Sequence, residues 1–205
     1  MLYEVRTYTF AAGDLPEFQR GFGEALPQRT KYSPLGAFWR TELGGLNQAI
    51  HVWPYEDLAQ RESVRAAASK DPGWPPKHSA TMVDLSAEIC VGAPFMRDLG
   101  EVRELGNVYE MRTYTYRPGT MSKVLDIWGD AIVHREKYSP LGACWYTEIG
   151  ALNRFTHIWP YESLNERARV RAEAMKDPHW PPPTREFLVS QETKILIPAP
   201  FSPLR

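Results

Sequence analysis

Displaced by 106 residues, the chain repeats itself. Residues 1–99 align with 107–205 without a gap, and 45 of those 99 pairs are identical. A duplication of this length constrains every later inference, because whatever one copy folds into, the other must too. Tyr3-Glu4 and Arg6-Thr7-Tyr8-Thr9 return as Tyr109-Glu110 and Arg112-Thr113-Tyr114-Thr115. The run Lys31 to Ala37 returns at Lys137 to Ala143, and His51-Val52-Trp53-Pro54-Tyr55-Glu56 returns as His157-Ile158-Trp159-Pro160-Tyr161-Glu162. Trp74-Pro75-Pro76 returns at Trp180 to Pro182, and Ala93-Pro94-Phe95 at Ala199 to Phe201. Of seven tryptophans, six fall in matched pairs. The period is too long for a stacking solenoid, so this is one domain written twice.

Within a copy the patterning alternates between strand and helix periods. Residues 2–10 alternate with period two, which reads as a strand. Gly13 breaks the chain, and Asp14 or Thr120 is placed to cap a helix. Val124, Trp128 and Ile132 then recur at helical spacing until Pro34 and Gly36, or their counterparts, end the segment. Residues 37–43 and 46–53 read as a hairpin around Gly44-Gly45. The patterns Asp57-x-x-Gln60 and Ser163-x-x-Glu166 are capping boxes that open a second helix. Leu58, Arg61, Val64 and Ala68 share one face of it, and Asp71-Pro72 stops it. Thr81 to Val91 and Phe187 to Ile197 fit a last strand. The order is βαββαβ, an α+β ferredoxin-like unit with both helices on one face of an antiparallel sheet. The expected organisation is a first domain at 1–95, a linker at 96–106 and a second domain at 107–205. The two sheets should face each other, each covering the other.

Strand alternation sorts the polar residues. Tyr3, Val5 and Thr7 suit the helix-covered face, which sends Glu4, Arg6 and Tyr8 toward the sheet–sheet interior. On the third strand His51 and Trp53, with Asn47, join them. The counterparts are Glu110, Arg112, Tyr114, Asn153, His157 and Trp159. For the second strand a two-residue turn would place Phe38, Arg40 and Glu42 inward, and one more turn residue would place Trp39 and Thr41 there. Buried Arg and Glu need partners, or a cavity with water or ligand. Ala49 opposite Phe155 in the alignment suggests more room in the first repeat.

At this point YEVRTYT, Trp-x-Thr-Glu-(Leu/Ile)-Gly-x-Leu-Asn, His-(Val/Ile)-Trp-Pro-Tyr-Glu and Asp-Pro-x-Trp, each present in both copies or nearly so, resemble the NIPSNAP family. The resemblance implies a dimeric α/β-barrel fold with two sheets around a central cavity. Here the pair of domains would be intramolecular. It implies no activity, since relatives on that fold range from cofactor-free monooxygenases to dehydratases.

From the residues themselves, His51 and His157 are candidates for proton transfer, or core histidines satisfied by Glu4 or Tyr8. Arg6 and Arg112 could anchor a carboxylate or enolate, or pair with Glu4 and Glu110 along the strand. Tyr8, Tyr114, Asn47, Asn153, Glu4 and Glu110 would complete a binding site. Trp53 and Trp159 would form its aromatic wall, or pack in the core. Trp74-Pro75-Pro76 would close one end of the barrel. No cofactor is expected: no Gly-rich phosphate loop follows a strand, and one matched His per repeat without a Cys cluster argues against a metal. A haem-ligand role for the histidines stays open. Formal net charge is −1, so no basic field supports nucleic-acid binding. No apolar run reaches membrane-spanning length. Cys90 and Cys144 fall at non-equivalent places, and Met1 leads straight into strand-like sequence. A cytoplasmic protein is therefore the expectation. The reading is a small-molecule pocket in the barrel interior, with a filled, non-catalytic assembly module as its rival and further homo-oligomers left open.

Overall fold

In the computed structural model, which describes residues 1–205, the first repeat runs β1 (Leu2–Phe10), α1 (Leu15–Arg29), β2 (Ala37–Leu43), β3 (Gln48–Tyr55), α2 (Leu58–Ala68) and β4 (Met82–Gly92). The second runs β5 (Val108–Tyr116), α3 (Met121–Arg135), β6 (Ala143–Ile149), β7 (Arg154–Tyr161), α4 (Leu164–Ala174) and β8 (Leu188–Pro198). The βαββαβ order therefore occurs twice, as the periodicity predicts. The caps of α2 and α4 are also those expected: Asp57 and Ser163 accept from the backbone N–H groups of Gln60 and Glu166. Those of α1 and α3 are not. Asp14 and Thr120 sit at the N-cap without a capping bond. Asp14 instead accepts from the Thr81 backbone N–H at 2.7 Å, and Thr120 donates to the Arg117 carbonyl at 2.7 Å.

The eight strands close into one antiparallel barrel in the order β1-β3-β2-β8-β5-β7-β6-β4. Two seams join the repeats. Trp39, Arg40 and Thr41 of β2 pair with Pro198, Ile197 and Leu196 of β8. Cys90, Val91 and Gly92 of β4 pair with Thr147, Tyr146 and Trp145 of β6. The two facing sheets thus meet edge to edge. The tail after each last strand crosses as well. Ala93 N–H donates to the Cys144 carbonyl at 3.0 Å and Ala199 N–H to that of Phe38 at 3.1 Å. Phe201 then stacks on Phe22 of α1 at 5.8 Å between ring centroids. Gly23 makes room for it, since a β-carbon there would come within 2.8 Å of the Phe201 ring.

One apolar cluster contains no helix residue and draws on both repeats: Tyr3, Val5, Trp39, Ile50 and Val52 with Tyr109, Met111, Trp145, Ile158 and Leu196. This is the barrel interior. Leu99 and Leu204 pack onto it and close one end, where Tyr3 also donates from its hydroxyl to Asp98 at 2.8 Å. Two further clusters lie under the helices. Leu15, Phe18, Phe22 and Leu26 of α1 pack on Phe38, Ala49 and Trp53. Val124, Trp128 and Ile132 of α3 pack on Cys144, Phe155 and Trp159.

Alternation groups the residues as expected, but the two faces are exchanged. Tyr3, Val5 and Thr7 line the barrel, whereas Glu4, Arg6, Tyr8, His51 and Trp53 face the helices. The physical reason is that both faces of β1 are buried, so period-two alternation shows which side chains share a face but not what covers it. Counter-ions decide the matter, because the arginines that neutralise Glu4 come from α2. For β2 the register sets Phe38 opposite His51 and Trp39 opposite Ile50, so Phe38 lies under the helices and Trp39 and Thr41 point into the barrel.

Because one edge of β2 and one edge of β4 find their partners only in the other repeat, a chain of residues 1–98 leaves two seams and the Trp39 face uncovered. It should self-associate into a dimer that rebuilds the barrel. Size-exclusion chromatography with light scattering checks this, and a monodisperse monomer at high concentration contradicts it.

Candidate functional site

Each repeat holds a cleft between its helices and the outer face of its strands. The first, about 300 Å³, is lined by Arg6, Tyr8, His51 and Trp53 from the strands, by Arg29 and Arg65 from the helices, and by Trp74 and Pro75 at its mouth. The second, about 340 Å³, is lined by the counterparts Arg112, Tyr114, His157, Trp159, Arg135, Arg171, Trp180 and Pro181. Arg6, Tyr8, His51 and Trp53 and their counterparts are therefore brought together, but outside the barrel rather than in it. The Trp-Pro-Pro loops close these clefts and not a barrel end. Trp74 meets Phe22 edge-on at 5.4 Å and Trp53 at 6.1 Å. The first cleft is not the roomier, contrary to the inference from Ala49 and Phe155. Phe38 becomes Cys144 at the neighbouring position, so one ring is moved rather than added, as in a volume-conserving core exchange.

Asn47 and Asn153 do not belong to the site. They occupy the left-handed region at φ 57° and 61° in the β2–β3 and β6–β7 turns, a conformation that Asn adopts more readily than most residues. Their carbonyls accept from Phe10 and Tyr116 N–H, both at 2.9 Å. Glu4 and Glu110 also do not line the clefts. They stand behind the arginines, fully buried at 0% exposure. Arg6 donates to Glu4 at 2.6 Å, Arg61 at 2.8 Å and Arg65 at 3.4 Å. Arg112, Arg167 and Arg171 surround Glu110 at 2.9, 2.6 and 3.2 Å. Burial alone would push the Glu4 carboxyl up. The Arg61 hydrogen bond and the charges of Arg65 and Arg6 outweigh it and hold the group below the usual carboxylate range. The strand pairing of Arg6 with Glu4 considered from the sequence is thus present, and it also orients Arg6. Its Nε donates to the Tyr8 hydroxyl at 2.7 Å and its Nη1 to Glu4, so the guanidinium is held flat with Nη2 unengaged.

The histidines are neither satisfied by Glu4 nor by Tyr8. Trp53 Nε1 donates to His51 Nδ1 at 2.8 Å, and Trp159 Nε1 to His157 Nδ1 at 2.6 Å. An indole N–H can only donate, so Nδ1 is the acceptor and the neutral ring carries its proton on Nε2. Nε2 is buried in both rings and has no partner. Burial, reinforced by Arg6, Arg29 and Arg65, holds the His51 pKa well below its ordinary value, and His157 follows with Arg112, Arg135 and Arg171. At neutral pH each imidazole is a hydrogen-bond donor and not a ready base.

Arg29 and Arg135 escaped the sequence reading. Each is 3% exposed, lies with Cζ 4.2 Å above the Trp53 or Trp159 ring, and donates only to neutral oxygens. For Arg29 these are Ser33 Oγ at 2.8 Å and Tyr55 Oη at 2.9 Å. The available signal was an arginine continuing the apolar stripe Phe18, Phe22, Leu26 at the same place in both copies. Arg65 and Arg171, one turn beyond Arg61 and Arg167, carried a similar signal. No acidic side chain lines either cleft. Nowhere in the chain do three His, Cys, Asp or Glu side chains converge as a metal site would require.

Two outcomes follow for stability. Glu4→Gln leaves Arg6, Arg61 and Arg65 without their anion and should cost about 3–5 kcal/mol, read by chemical denaturation. The histidines add a pH dependence. Their folded pKa values are depressed, so below about pH 6.5 the unfolded chain binds protons that the folded chain excludes, and stability falls as pH falls. The slope approaches about 1.4 kcal/mol per pH unit for each histidine. Denaturation between about pH 7.5 and pH 5.5 should show this fall, and a His51→Asn/His157→Asn variant should flatten it.

The sequence model of the NIPSNAP family matches residues 3–95 and again 109–203. Protein NipSnap homolog 3A of Homo sapiens is 34% identical over 219 aligned residues, covering 100% of this chain and 86% of that protein. Protein NipSnap homolog of Dictyostelium discoideum is 30% identical, covering 96% and 87%. Among solved structures, an anthrone oxidase-like protein has a TM-score of 0.54 at 11% identity over 100% of this chain and 94% of that one, a likeness of fold alone.

Proposed function

Starting from the fact that the chain belongs to the NIPSNAP family, we propose that each of its two clefts binds a small organic anion, a carboxylate or enolate with a flat, partly apolar body. The observation that carries this is an unbalanced charge. In the first cleft Arg6, Arg29 and Arg65 face a cavity without an acid, and the only nearby carboxylate, Glu4, is shared with Arg61. A buried cation without a counter-ion is costly, and an anionic ligand removes that cost on binding. The free Nη2 of Arg6 and the Nε2–H of His51 are donors preset for a negative oxygen. The Tyr8 hydroxyl, already accepting from Arg6, keeps its proton to donate. The rings of Trp53, Trp74 and Phe22 enclose the ligand's apolar part.

In chemical terms the site suits stabilisation of developing negative charge more than proton abstraction by histidine. A neutral imidazole donating to an enolate oxygen is an electrophile. Arg6 and Arg112 take the anchoring role read from the sequence, and His51 and His157 the donor role. The rival reading of an assembly module draws support from Val83 and Val189, exposed on the stretches of β4 and β8 that have no partner along their outer edge. Concentration-dependent association beyond the monomer, weakened by Val83→Lys, would favour it.

Titration calorimetry with phenylacetate is the direct test of anion binding. Two sites per chain are expected, with affinity falling as salt rises. Arg65→Met combined with Arg171→Met removes from each cleft a helix arginine more exposed than Arg6 or Arg112 and should weaken binding by about tenfold or more while the fold is retained. Full affinity in that variant would reject the reading.

A further inference from the structure

The two clefts share their arginines and histidine but not their far walls. Building on the anion-binding reading above, we propose that they select different anions: the first takes a carboxylate with an apolar body, and the second one whose distal end carries another oxygen acceptor, a carbonyl or a second carboxylate. The difference lies in a set of neighbouring substitutions. In the first cleft Phe18, Phe22, Met82 and Leu85 present hydrocarbon. In the second, Trp128 stands in place of Phe22, Gln191 in place of Leu85, and Tyr116 and Thr184 in place of Phe10 and His78.

These replacements act together. Tyr116 Oη and Thr184 Oγ1 lie 3.0 Å apart in a hydrogen bond, while in the first repeat Phe10, which has no polar side-chain atom, packs at a tilt against Phe18 at 4.5 Å. Trp128 is the one tryptophan with no counterpart in the other copy. Its Nε1 lies near the Tyr116 hydroxyl, is buried, and meets no acceptor in hydrogen-bonding geometry. It packs 4.5 Å from the His157 ring, whose Nε2 is also buried and unpartnered. The second cleft is therefore lined by two buried donors without a partner, Trp128 Nε1 and His157 Nε2, where the first is lined by one, His51 Nε2; His78 Nδ1, also buried without a partner, does not line the first cleft. A buried N–H without an acceptor is rare and destabilising, and a ligand oxygen at this point satisfies it. Gln191 and Arg185 extend the donors to the mouth, where the first repeat has Leu85 and Ser79. A cleft built to hydrogen-bond an oxygen rejects the analogue that lacks it more strongly than an apolar cleft rejects an added group.

The test uses the full chain with one cleft disabled at a time and two probes, phenylacetate and 4-carboxyphenylacetate, in calorimetry. With Arg65→Met only the second cleft is intact, and 4-carboxyphenylacetate should bind at least about tenfold more tightly than phenylacetate. With Arg171→Met the order should reverse. Adding Trp128→Phe and Gln191→Leu to Arg65→Met should erase the preference while phenylacetate still binds. The converse pair, Phe22→Trp and Leu85→Gln on Arg171→Met, should transfer the preference to the first cleft. The same probe order in both clefts, or a preference that survives the wall substitutions, overturns the selectivity and leaves anion binding standing. Failure of the wild-type chain to bind either probe overturns both.

Discussion

Closure of the barrel is the constraint from which the rest follows. In each repeat the strands β2 and β4, or β6 and β8, have hydrogen-bonding edges that nothing in their own repeat can satisfy, and only the other copy supplies the partner. Once the seams form, Tyr3, Trp39, Tyr109 and Trp145 are enclosed together, and the outer face of every strand is left to the helices. Both faces of β1 and β5 are then buried. Any charged residue on these strands needs a partner from within the protein. Glu4 and Glu110 obtain theirs from α2 and α4, which ties helix to strand electrostatically as well as by packing.

This tie overshoots. Several guanidinium groups gather where one carboxylate is available, and Arg29 and Arg135 are seated over tryptophan rings with neutral oxygens as their only acceptors. A fold selected only for stability has little reason to concentrate like charges beside a cavity, because their mutual repulsion in a poorly solvated site is substantial. The same positive field keeps the histidines neutral, and the Trp53 and Trp159 indoles set their tautomer. The cleft is thereby equipped with preset donors and no base of its own, which is a coherent chemical character although it differs from the acid–base role that a lone histidine suggests in sequence.

The duplication shows which parts of this arrangement tolerate change. The arginines, the His-x-Trp pair and the Trp-Pro-Pro mouth are the same in both copies, while the packing behind them has drifted in compensating ways. Phe38 with Ala49 becomes Cys144 with Phe155, so aromatic volume shifts across one pair of strands without net addition. Around Trp128 the drift is different in kind, since Phe10, Phe22 and Leu85 give way to Tyr116, Trp128 and Gln191, and Tyr116 bonds to Thr184. Packing density alone does not call for such a change.

The repeat, the order of elements, the α2 and α4 caps and the grouping of Glu4, Arg6, Tyr8, His51 and Trp53 were all legible in the amino-acid sequence. Each of these rests on local spacing: a period of two or 3.6, a cap three residues from its acceptor, a motif returning at a constant offset. The covering of each strand face was not legible. Alternation is symmetric between the two sides, and an eight-stranded barrel with helices outside buries both, so hydrophobicity does not distinguish them. Asn47 was misread for a related reason, since a turn residue and a strand residue sharing the face of His51 look alike until the hairpin length is known. Arg29 and Arg65 lie on helices and reach the site only through packing of those helices on the sheet. The sequence by itself determined what each element is and which side chains travel together. The tertiary structure decided what those side chains meet, because that depends on contacts between residues far apart in the chain.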